Sequence, residues 1–227
     1  MSPRTGVPVP AVFCLPLLLV ALPVVGQDRA ERAQELKQWR ADCTDPDADL
    51  RFATLEAAVA TDDRAIRRIC MKSALDDDDI EVRRLALALA LASAERLVLE
   101  FGPSEEMQSA LAKAGSKRED VKAVWSDYGY TAAVLANSEG VLVLAPSDVD
   151  APGPVTRWLV IGPNGKAHES YDLTLTQVGS RLDGNGQVLS GAAYTVTVRL
   201  ELATGGQLVG IIAAHGGEPF PASISLY

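Results

Sequence analysis

Tyr194-Thr195-Val196-Thr197-Val198-Arg199-Leu200-Glu201-Leu202 is the stretch that decides how the second half of this chain folds. Val196, Val198, Leu200 and Leu202 alternate with Thr195, Thr197, Arg199 and Glu201. A period of two puts successive side chains on opposite faces of a strand. One face is apolar and the other polar, as in an antiparallel sheet that packs on one side and meets water on the other.

The same alternation extends outward in both directions. Toward the C-terminus, Gly205-Gly206 turns the chain into residues 207–214, and residues 222–227 form a last strand. Toward the N-terminus, a strand containing Leu182 and Val188 is interrupted by Gly184-Asn185-Gly186. Before it, Leu173 and Leu175 alternate with Thr174 and Thr176 in a strand over 168–177. The turn Gly162-Pro163-Asn164-Gly165 carries an Asn-Gly pair, a strong hairpin signal, and joins that strand to 155–161. A Pro- and Gly-rich loop over 146–154 separates these from two further predicted strands, 131–136 and 140–145, about the turn Asn137-Ser138-Glu139. Eight candidate strands joined mostly by short turns predict an antiparallel meander over 129–227, as a barrel or a two-layer sandwich. The stretch from Leu173 to Gly184 is similar to the hairpins of small lipocalin-like barrels.

Upstream of 129 the period changes to that of a helix. Residues 28–43 are rich in good helix formers, with Leu36 and Trp39 three apart on one face. Thr44-Asp45-Pro46 breaks this helix and caps the next, over 47–60, which would bury Leu50, Leu55 and Val59. Thr61-Asp62-Asp63 caps a third helix to Leu75, and the run 76–79 a fourth to about Leu99. Gly102-Pro103-Ser104 and Gly115-Ser116 start two more, over 105–114 and 117–127.

The caps recur in register. An acid followed by an aliphatic–Arg pair appears as Leu50-Arg51, Ile66-Arg67 and Val82-Arg83, each pair 16 residues after the last, and small residues such as Ala74, Ala86 and Ala90 follow. One helix and a short turn fill that interval, so two helices make a repeating unit. Residues 45–97 resemble HEAT-type repeats, although Thr54 stands where that pattern wants a small apolar residue. The resemblance implies stacked helix pairs and a surface for protein contact, and no chemistry. The fold class expected is therefore α+β in two segregated parts. Residues 27–128 form a helical hairpin repeat or bundle, and 129–227 an antiparallel β barrel or sandwich.

Residues 1–26 are set apart as a secretory signal peptide. Arg4 supplies the positive start, an apolar run follows from Ala11 to Val25, and Val24-Val25-Gly26 ends it with modest residues. The run is shorter than the roughly 20 residues that span a bilayer, so no stable membrane span is expected after cleavage. Cys14 would leave with the signal. Its loss with Arg4 takes the net charge from −9 to −10. With a pI near 4.8, this composition argues against nucleic acid and anionic membrane as partners. The expected location is periplasmic or secreted.

Cys43 and Cys70 remain after cleavage. An even count in an exported chain suits a disulfide, while Cys70 could equally fill a small core position as a free thiol. Asp45, Asp47, Asp49 and Glu56 match the first, third, fifth and twelfth positions of an EF-hand-like calcium loop. Leu50, however, stands where that loop needs Gly, and the same acids suit helix capping. His168 and His215, with Glu169 and Glu218, could complete a zinc site only if the fold brought them together. There is no Gly-x-Ser-x-Gly elbow and no Cys in the β half to pair with a His. Gly184-Asn185-Gly186 and Gly205-Gly206 lack the helix N-terminus of a phosphate cradle.

No catalytic residue and no cofactor is assigned. The first expectation is an exported, non-enzymatic interaction module whose stacked helices meet another envelope protein. The alternative is a carrier holding a small apolar or amphipathic ligand in the β domain, where Gly184, Gly191, Ala192, Gly210 and Ala213 would leave room. An enzyme with a dispersed polar site is the third.

Overall fold

The computed structural model describes residues 24–147, 155–162, 165–190 and 192–227. The chain divides into two units, residues 1–35 and 36–227. Within the first unit, residues 24–35 are the opening turns of helix α1 (Val24–Asp42), with Arg32 paired to Glu35 at 2.5 Å. The predicted signal segment lies outside the described residues except for Val24, Val25 and Gly26, and Cys14 lies outside them entirely.

In the second unit, helices α2 (Ala48–Ala60), α3 (Arg64–Leu75) and α4 (Ile80–Ser93) are capped by Asp47, Asp63 and Asp79. Each aspartate accepts from N–H groups of its own first turn, which would otherwise be orphaned; such a cap stabilises by about 1 kcal/mol. Equivalent positions then turn inward: Leu55 and Ala58 in α2, Met71 and Ala74 in α3, Leu87 and Ala90 in α4. The small residues let the three helices approach so closely that each touches the other two. Leu50 departs from the expectation. It is 54% exposed, whereas its counterparts Ile66 and Val82 are buried.

The stretch 94–139 folds differently from its sequence reading. The fourth helix stops at Ser93, not near Leu99, and Leu97–Phe101 is a strand, β1. Leu97, Leu99 and Phe101 point inward in strict alternation, a period of two confined to five residues and hidden behind a long run of Ala and Leu. Helices α5 (Glu105–Ala114) and α6 (Arg118–Asp127) follow. Residues 131–136, expected as a strand, lie in a helix, α7 (Gly129–Ser138). Its buried residues Thr131, Ala132, Val134 and Leu135 share one helical face, and its alanines favour that conformation.

The remaining strands are β2 (Val141–Pro146), β3 (Val155–Ile161), β4 (Ala167–Val178), β5 (Arg181–Ser190), β6 (Ala192–Ala203), β7 (Gln207–Ala214) and β8 (Phe220–Ser225). Each pairs antiparallel with the next, and β8 pairs with β1, closing an eight-stranded barrel. The barrel thus takes its first strand from the segment read as helical, so residue 128 does not separate helices from strands. Gly184-Asn185-Gly186 does not interrupt β5, which stays paired to β4 and β6 throughout that stretch.

Both barrel ends are covered. Helix α7 touches β2, β5 and β7, and Thr131 Oγ1 accepts from the Ala214 N–H at 2.9 Å. At the opposite end the repeat helices meet the barrel through hydrogen bonds. Arg83 Nη2 donates to the Leu202 carbonyl at 2.5 Å, Gln177 Nε2 to the Arg84 carbonyl at 2.8 Å, and the Gly205 N–H to Asp76 Oδ1 at 2.5 Å.

Candidate functional site

The helices carry a large hollow. It is an open cleft of about 1010 Å³ between the C-terminal end of α1 and one face of α3. Arg40 and Thr44 form one wall, and Arg68, Ile69, Lys72 and Ser73 the other. The periodicity of α3 explains its wall. Ile66, Cys70 and Ala74 face the core, which turns Arg68 and Lys72, four apart, outward together.

Two bonds tie the walls together. Cys43 and Cys70 form a disulfide across 27 residues of sequence, with Cα atoms 5.2 Å apart. Ser73 Oγ donates to the Cys43 carbonyl at 3.2 Å. Both cysteines are buried, so the bond that aligns the walls is shielded from solvent.

At the far end of the cleft, Arg51 and Asp77 form a two-pronged ion pair. Arg51 Nε and Nη2 each donate to an Asp77 carboxylate oxygen at 2.7 Å, and Nη1 donates to the Asp45 carbonyl at 2.8 Å. The side chains are only 12% and 4% exposed. Burial pushes the Asp77 carboxyl up. The Arg51 hydrogen bond, the Asp79 N–H and the Arg51 charge together outweigh burial and hold it below the usual carboxylate range. The hydrogen bond to Asp77 in turn raises Arg51.

Each aspartate of the cleft has a bonding partner, as does Arg51. Asp45 Oδ1 accepts from the Asp47 N–H at 2.9 Å, Asp76 accepts from Gly205, and Asp77 is held by Arg51. Asp78, 97% exposed, also contacts Arg51 at 3.1 Å. Arg40, Arg68 and Lys72 have no ion-pair partner among the described residues.

The calcium set is not assembled. Asp47 caps α2, Asp49 lies in its first turn, and Glu56 sits two turns further along the same helix. A calcium loop would need Asp49 to Glu56 outside a helix. Among the described residues no group of three His, Cys, Asp or Glu side chains could hold a metal ion. His215 is exposed, its main-chain N–H donates to the Thr195 carbonyl, and the side chains of His168 and Glu169 lie outside the described residues.

The barrel interior is filled. Trp158 and Phe220 are completely buried among Leu99, Leu144, Leu173 and Leu182. Gly184 and Gly210, two of the positions expected to leave room, are sites of close approach. A Cβ on Gly184 would meet Leu175 at 2.6 Å, and one on Gly210 would strike the Arg199 carbonyl on β6. Gly191 and the side chain of Ala192 lie outside the described residues. These contacts give the carrier reading no support. The second hollow, about 500 Å³ beside Glu100, Val209 and Pro221, is wide open.

Sequence reasoning missed Arg40, Arg68 and Lys72. The signal that could have found them is the cysteine pair itself. Joining Cys43 to Cys70 carries Arg40, three residues before the first, toward Arg68 and Lys72, two on either side of the second.

Compared with protein-family models, curated proteins and solved structures, the chain matches none.

Proposed function

We propose that this protein is an exported, non-enzymatic interaction module of the cell envelope, with its binding surface on the helices and its barrel as scaffold. The observation that carries this reading is the position of the cleft: it opens on the helical stack, where the charged side chains of Arg40, Arg68 and Lys72 have no ion-pair partner among the described residues. A barrel that is filled and covered at both ends suits a scaffold. Its β6 carbonyl takes up Arg83, as a capping repeat would at the end of a stacked array. The 16-residue recurrence of cap, aliphatic and Arg supports a HEAT-like origin for the stack. Export is supported by the apolar run 11–25 behind Arg4, and by the Cys43–Cys70 bond, because disulfides persist in oxidising compartments.

The test places a photo-crosslinking residue at Leu50 or Ile69 on the helices, and at Ile211 on the outside of β7, in cells producing the full chain. The reading expects one protein adduct at the helical positions and none at Ile211, on a chain whose mass begins at Gln27. Adducts confined to Ile211, or a chain that keeps its first 26 residues, would contradict it.

A further inference from the structure

We propose that the Cys43–Cys70 bond is a redox latch. Making or breaking it closes or frees residues 36–43, the C-terminal end of α1, against α3, while α2–α4 and the barrel stay folded. The latch decides whether the α1–α3 cleft exists, because Arg40 and Thr44 form one of its walls. Such a latch does not depend on the interaction-module reading above.

The two cysteines belong to differently held pieces of chain. Cys70 lies on α3, whose Ile66, Met71, Ala74 and Leu75 are buried in one core with Leu55 of α2 and Leu87 of α4. Aspartate caps start all three helices, and the Arg51 fork ties α2 to Asp77 in the turn before α4. None of these bonds involves α1. Cys43 directly follows α1, which is held more lightly. Leu36 and Trp39 pack half-buried against the core, and Ser73 Oγ donates to the Cys43 carbonyl at 3.2 Å. Half-buried side chains and a neutral hydrogen bond are a modest hold for about two turns of helix.

A hinge lies between the two pieces. Arg51 Nη1 donates to the carbonyls of Asp45 at 2.8 Å and Pro46 at 3.2 Å, so the chain is pinned to α2 from Asp45 onward. Up to Cys43, whose N–H donates to the Trp39 carbonyl at 2.9 Å, it follows α1. Exposed Thr44 joins them, and rotation there moves the end of α1 without disturbing α2. The cysteines are buried, yet the cleft reaches their neighbours Thr44, Ile69 and Ser73, so a small displacement of residues 36–43 admits a thiol. The thiolate of a small dithiol attacks one sulfur, forms a mixed disulfide and releases the other cysteine. The second thiolate of the dithiol then displaces the first cysteine. The dithiol ends as a cyclic disulfide, and its two electrons and two protons end on Cys43 and Cys70 as thiols. A disulfide oxidant runs the same exchange backwards and closes the latch.

The experiment uses the full oxidised chain, treated with dithiothreitol without denaturant, its thiols counted by alkylation and mass, and its amide hydrogen exchange compared before and after. Reduction should proceed on the folded protein, at a rate that low denaturant leaves unchanged. Amides of residues 36–43 should then exchange about tenfold faster or more, while those of α2–α4 and the barrel strands stay within about twofold. Cys43→Ala with Cys70→Ala should reproduce the reduced pattern, and glutathione disulfide should restore protection in the reduced parent. Ser73→Ala in the oxidised chain should leave residues 36–43 within about twofold of the parent, because the bond then holds them. Unchanged protection of 36–43 after reduction would overturn the proposal, since Leu36, Trp39 and Ser73 would then suffice. So would equal acceleration through α2–α4, which would make the bond a staple of the whole stack. Reduction that occurs only in step with global unfolding would overturn it too.

Discussion

Arg83 donates to the main-chain carbonyl of Leu202, 119 residues further along the chain, at 2.5 Å. In α2, the equivalent Arg51 reaches instead for Asp77 in the turn before α4 and for the Asp45 carbonyl. Arg51 thus bonds within the stack, whereas Arg83, in the last helix of the stack, bonds the barrel. Removing this charged donor leaves a barrel-end carbonyl without its partner. Arg83→Ala should cost about 1.5–3 kcal/mol, the range for hydrogen bonds to charged groups, read as a shift in the denaturant midpoint. Arg83→Lys should recover only part of it, since a lysine cannot reproduce the guanidinium's reach and fork.

The Cys43–Cys70 bond closes a loop of 27 residues that contains all of α2 and most of α3. Under the chain-entropy account, losing it should destabilise the folded state by about 3–4 kcal/mol. Chemical denaturation of Cys43→Ser with Cys70→Ser, against the oxidised parent, measures this. A loss below about 1 kcal/mol, well short of the range for native bridges, would mean that the helices hold α1 in place without the bond.

Asp77 gives the stack an acid limit. Its carboxyl sits lower in the folded protein than in the unfolded chain, so the unfolded chain binds its proton more readily. The contribution is complete above the ordinary aspartate value of about 3.9 and is lost as pH falls below that through the lowered folded value. Thermal midpoints measured from neutral pH into that range should fall in the parent. They should fall less steeply in Asp77→Asn, which starts lower and has no such proton to take up.

Trp158 fills the barrel centre, and its Nε1 donates to Thr156 Oγ1 at 2.8 Å. Trp158→Ala should cost about 3–5 kcal/mol and open a cavity at its buried position. A small apolar probe such as benzene should then stabilise the variant against heat and leave the parent unchanged. Stabilisation of the parent by the probe would show space that the packing does not reveal.

How much of this was legible in the sequence depended on the length of each periodic run. Residues 194–202 alternate over nine positions, and β6 formed there as read. The caps Asp63 and Asp79 were legible because a short acidic side chain before a helical run has one dominant use, whereas the second helix is capped by Asp47 and not by Thr44-Asp45-Pro46 as read. Leu97–Phe101 was not, because five residues hold too few alternations to override the helical run in front of them. Residues 131–136 misled in the opposite way: Thr131, Val134 and Leu135 suit a strand by composition, and their tertiary position against Ala214 decided for a helix. The cleft was invisible to local patterns, since Arg40 and Lys72 become neighbours only through a long-range bond.

The most direct test of the account is a native mass spectrum of the protein purified from cells that produce the full chain. The account expects a chain two hydrogens light, from the Cys43–Cys70 bond, with no small molecule retained by the filled barrel. A stoichiometric apolar ligand that survives purification and leaves on unfolding would contradict it, and would make the barrel the functional element.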